Sequence, residues 1–134
     1  MRNICILLIA VLGLTACTKS RDTDDNLIRI AQLEIEPHFM DEYISLLKDE
    51  AEASVRLEKG VVCIFPMVDK DQPTTVRILE IYSDQKAYED HLQTPHFKHY
   101  KTASLKMVKS LQLIDMTAID KASIAKIFEK VSSK

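Results

Sequence analysis

Between residues 79 and 101 the chain reads LEIYSDQKAYEDHLQTPHFKHYK and gathers three of its four histidines (His91, His96, His99) and three of its four tyrosines (Tyr82, Tyr88, Tyr100). Histidine titrates near neutral pH and also ligates metals, so such a concentration points to proton transfer or to metal binding. Metal is the weaker of the two. His96 and His99, three apart, share a helix face, but Pro95 separates them from His91 and no acidic or cysteine ligand stands at a recognised spacing. The chain also lacks a glycine-rich dinucleotide fingerprint, so no metal or other cofactor is expected.

The elements that must position these residues follow from local pattern. Residues 74–82 are β-branched and apolar with period two, which puts Val76, Ile78, Glu80 and Tyr82 on one face of a strand, with Glu80 the odd member of a buried row. Ser83 is the expected N-cap of the next helix, on which Ala87, Tyr88, His91 and Leu92 fall at helical spacing, so His91 belongs to an apolar face. Thr94-Pro95 is a second start signal, a hydroxyl cap followed by proline at the first helical position. Phe97, Tyr100 and Lys101 follow on that helix.

Upstream, Leu27–Ile35 alternates as a first strand, with Leu27, Ala31, Leu33 and Ile35 on one face. Pro37 suits a first helical turn, and Met40, Ile44, Leu47, Ala51 and Val55 mark the apolar stripe of a helix whose other face carries Asp41, Glu42, Lys48, Asp49 and Glu52. Val61–Val68 is an apolar run interrupted by Pro66, which cannot donate to a ladder, so this strand is placed at an edge or at a bulge. Turn chemistry over 69–73 makes it a hairpin with 74–82. A fourth strand is expected at 110–116, and Ile124, Ile127, Phe128 and Val131 mark a short amphipathic helix. The order is that of an α+β, ferredoxin-like split βαβ fold with an antiparallel sheet. Strands two and three are apolar on both faces, so the face without helices needs a partner.

Arg2 followed by the apolar segment 4–14 has the form of a secretory signal, too short to span a bilayer. Leu14-Thr15-Ala16-Cys17 resembles a bacterial lipobox, which implies cleavage before Cys17 and lipidation of that cysteine, holding the protein at a membrane. Thr18, rather than aspartate, follows the cysteine and favours the outer membrane, facing the periplasm or the exterior. The expected organisation is a signal peptide over 1–16, a polar tether over 17–26 and one domain over 27–134. Cys63 is then the remaining thiol, read as a small buried hydrophobe. With 18 basic and 20 acidic residues the chain is near neutral, and the absence of a basic run gives nucleic acid little support as a partner.

Glu80-Ile81-Tyr82, then His91-Leu92, then Thr94-Pro95-His96-Phe97 and a second helix resemble the antibiotic biosynthesis monooxygenase superfamily, in particular its small quinol monooxygenases. The resemblance reaches upstream to Leu57-Glu58-Lys59-Gly60, where lysine replaces the proline of an E-P-G turn, and downstream to residues 107–111, covering about residues 27–116. It implies a homodimer in which two sheets close into an α/β barrel, each subunit keeping a pocket between sheet and helices. It also implies oxidation of a quinol or similar small aromatic by molecular oxygen without metal or flavin. Such a reaction needs a base for the phenolic proton. His91 is the first candidate, as base or substrate-orienting group, with Tyr82 and Glu80 as partners; His96 and Tyr100 come second. Equally open is that the histidines brace the paired helices while Glu80 satisfies buried backbone or Arg77. A non-catalytic lipoprotein binding a small hydrophobic ligand in the same pocket is the alternative function. Haem degradation is disfavoured, because the positions matching that subgroup's asparagine, tryptophan and histidine are Ala31, Tyr82 and Lys101, and the chain has no tryptophan.

Overall fold

A computed structural model describes residues 26–133. The expected signal segment, Cys17 and the tether up to residue 25 lie outside the described residues. Strand β1 (Leu27–Ile35) leads through a tight turn at Pro37–Phe39 into helix α1 (Met40–Leu57), then β2 (Val61–Val68) and β3 (Thr75–Tyr82). Helices α2 (Gln85–His91) and α3 (Pro95–Ser104) precede β4 (Val108–Met116) and a terminal helix α4 (Ala122–Ser132). The four strands are antiparallel in the order β2-β3-β1-β4, which is the split βαβ, ferredoxin-like arrangement.

Strand alternation builds the core. Ala31 lies opposite Ile78 and Leu33 opposite Val76, and these four, with Ile35, Tyr43, Leu47 and Met107, form one buried cluster. Pro66 is accommodated as expected, because β2 is an edge strand with an irregular register between Val61 and Cys63. On the other face of the sheet Phe65, Met67 and Met116 are 57%, 40% and 48% exposed, so that face is apolar and uncovered. Helix α4 forms where its periodicity placed it, yet none of its residues is buried.

Four local expectations need correction. The buried stripe of α1 is Tyr43, Leu47, Glu50, Ala51 and Ser54, while Val55 is 49% exposed and Met40 and Ile44 are half-buried. The helix is turned toward its polar edge because Glu50 finds partners inside, the nearest being the Ser54 hydroxyl, which donates to its carboxylate at 2.7 Å. The cap of α2 is Asp84, whose carboxylate accepts from the Ala87 amide at 2.7 Å; the Ser83 amide is engaged by the Gly60 carbonyl at 2.8 Å and still belongs to the sheet side of the turn. Strand β4 starts two residues earlier than 110, at Val108. Arg77 pairs with Asp69 and Gln32, not with Glu80.

Thr94-Pro95 performs as its chemistry dictates. The Thr94 hydroxyl accepts from the Phe97 amide at 3.3 Å and donates to the His91 carbonyl at 2.8 Å, tying the end of α2 to the start of α3. Gly60 closes the other side of the site, since a Cβ there would overlap the Cβ of Ala87. The turn at 58–60 can therefore press against α2.

Candidate active site

Three helix ends converge on one point. Glu58 follows the last residue of α1, His91 is the last residue of α2, and His96 lies in the first turn of α3. One Glu58 carboxylate oxygen is 3.0 Å from His91 Nδ1 and 2.6 Å from His96 Nε2, so a single acceptor joins both imidazoles. The other nitrogen of His91 faces the Glu50 carboxylate at 3.6 Å, beyond hydrogen-bond length. His91 is 3% exposed and Glu50 5%.

An aromatic wall surrounds this junction. The His91 ring lies 4.7 Å from that of Phe97 and 5.4 Å from that of Tyr82, centre to centre, and Tyr82 meets Tyr88 edge-on at 5.3 Å. The Tyr82 hydroxyl donates to the Glu80 carboxylate at 3.2 Å, and the Tyr43 and Tyr100 hydroxyls bond each other at 2.7 Å. Burial pushes the Glu50 and Glu80 carboxyls above their usual range, against opposing pulls from Ser54 on Glu50, from Tyr82 on Glu80, and from His91 on both. The same burial raises the Tyr82 and Tyr100 phenols and brings Tyr43 to about 12, so all three remain neutral hydrogen-bonding groups at physiological pH.

Tyr82, Glu80 and His91 are thus brought together as the strand and helix patterns imply, and His96 joins through Glu58. Tyr100 is one ring further out, 6.3 Å from Phe97. His99 and His38 are exposed and take no part, and the His96–His99 pair is not where imidazoles cluster: His91 and His96 converge despite the intervening proline. Cys63 is half-buried with its thiol pushed up by burial, which makes it a poor nucleophile. The residues missed were Glu50, Glu58 and Tyr43. Glu58 stood in the L-E-K-G turn without an assigned role, and Glu50 carried one legible signal, a serine four residues on that can satisfy it in a helix.

A cavity of 390 Å³ opens beside the junction, lined by Glu58, Gly60, Ser83, Ala87, Thr94 and the charged residues between them. That volume admits a small ring, and the lining is charged rather than apolar, with Lys59, Asp84, Lys86 and Asp90 beside Glu58. Glu58 is the member of the histidine cluster that forms its wall.

The model of the antibiotic biosynthesis monooxygenase family matches residues 26–103. The chain belongs to that family. The chain is similar to a solved protein from Bacteroides thetaiotaomicron, provisionally described as an antibiotic biosynthesis monooxygenase, with 44% identity and a TM-score of 0.72 over 73% of this chain and 93% of the other. A similarly described Nitrosomonas europaea protein shares the fold at 15% identity, with a TM-score of 0.69 over 73% and 94% of the two chains. Among curated proteins, no relative matches significantly. The family match spans β1 through nearly all of α3, hence every residue of the histidine junction, while β4 and α4 lie beyond it.

Proposed function

We propose that this antibiotic biosynthesis monooxygenase family member oxidises a quinol or similar small electron-rich aromatic with molecular oxygen and no metal or flavin. The observation that carries the proposal is Glu58, which joins His91 and His96 and forms part of the wall of a cavity large enough for one ring. A phenolic hydroxyl docked against Glu58 gives up its proton to that carboxylate, which the ring N–H groups of His91 and His96 hold in position for the transfer. The electron-rich phenolate then reacts with oxygen. A hydroquinone plus O₂ yields a hydroxyquinone plus water: the ring gains one oxygen atom, the second leaves as water, and the substrate supplies all the electrons.

Oxygen uptake against a panel of hydroquinones tests this. A positioned general base contributes about 10²–10⁴-fold, so His91→Ala is expected to lower turnover by at least about 100-fold while the chain stays folded. An unchanged rate removes His91 from the reaction. Saturable quinol binding without oxygen uptake favours instead the ligand-binding lipoprotein.

Lipid anchoring at the cell envelope through Cys17 and pairing of two copies through the uncovered sheet face belong to the same proposal. The Leu-Thr-Ala-Cys sequence supports the first, and exposed Phe65, Met67 and Met116 support the second. Fatty-acid labelling that persists in Cys17→Ser would contradict the anchor. A folded monomer at micromolar concentration in sedimentation would contradict the dimer.

A further inference from the structure

We infer that Glu58, His91 and His96 form a binding site for a first-row divalent cation of the zinc class. One donor atom from each residue lies within 4.8 Å of the others, and both imidazoles already point at the same carboxylate. Two imidazoles and a carboxylate are a zinc-type donor set, with bonds of about 2.0–2.2 Å that place tetrahedral donors about 3.3 Å apart. The His91 and His96 nitrogens stand 3.0 and 2.6 Å from the Glu58 oxygen and within 4.8 Å of each other, so admitting the ion requires each to move out from that oxygen by under about 1 Å and the pair to close by up to about 1.5 Å.

The surroundings are those a metal site needs. A ligating histidine is oriented by a carboxylate on its other nitrogen, and His91 has Glu50 there, at 3.6 Å from Nε2, itself held by the Ser54 hydroxyl. Binding places the His91 proton on Nε2, facing that carboxylate, and frees Nδ1 for the ion. The cavity bordering Glu58 leaves room for a water as fourth ligand. Glu50, Glu58 and Glu80 bring three carboxyls around the two imidazoles, an acidic surround that a divalent cation complements. The ion would cross-link the ends of α1, α2 and α3, which are sewn together here by one carboxylate oxygen.

Nδ1 of His91 cannot hold a cation and share a proton with Glu58 at once. Occupancy therefore withdraws His91 from the proton transfer proposed above, making Zn²⁺ an inhibitor; the site itself does not depend on that activity.

The full chain, extracted in detergent and stripped with a chelator, is titrated with Zn²⁺ alone by calorimetry, with metal content measured after gel filtration. One ion per chain is expected, with affinity lowered at least about 100-fold in Glu58→Gln and in His96→Ala, and about 10–100-fold in Glu50→Gln, which alters only the orienting carboxylate. His99→Ala, at an exposed position three residues from His96, should bind like the wild type. Zn²⁺ should raise the melting temperature of wild type and not of His96→Ala, a comparison that holds even where a variant is less stable. Absence of stoichiometric binding, or binding that survives Glu58→Gln combined with His96→Ala, overturns the site and leaves the oxygenase proposal untouched.

Discussion

The space between sheet and helices holds two interiors of opposite character. At one end Leu33, Ile35, Leu47, Val76, Ile78 and Met107 form an apolar cluster of the kind that stabilises any small domain. At the other, Glu50, Tyr82 and His91 are buried as deeply, with Glu80 half-buried beside them, yet each brings a polar atom that must be paired. Among the described residues, no buried side-chain nitrogen or oxygen lacks a partner, so the polar end is fully connected. It also retains two carboxyls that burial pushes upward, a cost the apolar end does not bear. Stability is thus concentrated at one end and chemistry at the other, on the same strands.

Ile35→Ala should separate the two most strongly. The side chain is fully buried, and its truncation is expected to cost about 2–5 kcal/mol in denaturant unfolding while the folded fraction keeps its Zn²⁺ affinity and turnover. Loss of binding in protein that remains folded would show that the ends are not independent. Gly60→Ala comes next, at about 1–3 kcal/mol, because its Cβ overlaps Ala87. Here both readouts should fall together, since the same turn carries Glu58; unaltered binding would mean that the turn relaxes without moving the junction.

Glu80→Gln should act in the opposite sense. A carboxyl whose folded value is raised contributes its full stability below its ordinary value of 4.5 and loses it as pH climbs through the raised value. The variant removes that loss, so its melting temperature should exceed wild type near pH 7 and converge with it near pH 4. An equal difference at both pH values would exclude ionisation of Glu80 as the cause. The smallest effect is expected for Tyr43→Phe, about 0.5–1.5 kcal/mol, through the hydroxyl pair with Tyr100. If Tyr100→Phe adds its full cost on top, the pair is not coupled.

Much of the frame could be read from local pattern. The strand of Val76, Ile78 and Tyr82, the edge position of Pro66, the Thr94-Pro95 start and the burial of His91 each depend on a period or a cap within a few neighbours. Errors arose where two nearby groups competed. Asp84 takes the cap because the Ser83 amide is held by Gly60, and α1 turns inward on Glu50 because partners await it there.

The sequence by itself determined the element types and their order, because hydrophobic periodicity and capping are short-range properties that survive without knowledge of the fold, while the face that α1 buries was set by the partners Glu50 finds inside. Only the tertiary structure decided that Glu58 meets His91 and His96 across 33 and 38 positions, and that Tyr43 meets Tyr100 across 57. Those pairings depend on how α1, α2 and α3 end against one another over the sheet. Nothing periodic in a single chain encodes a distance of that kind.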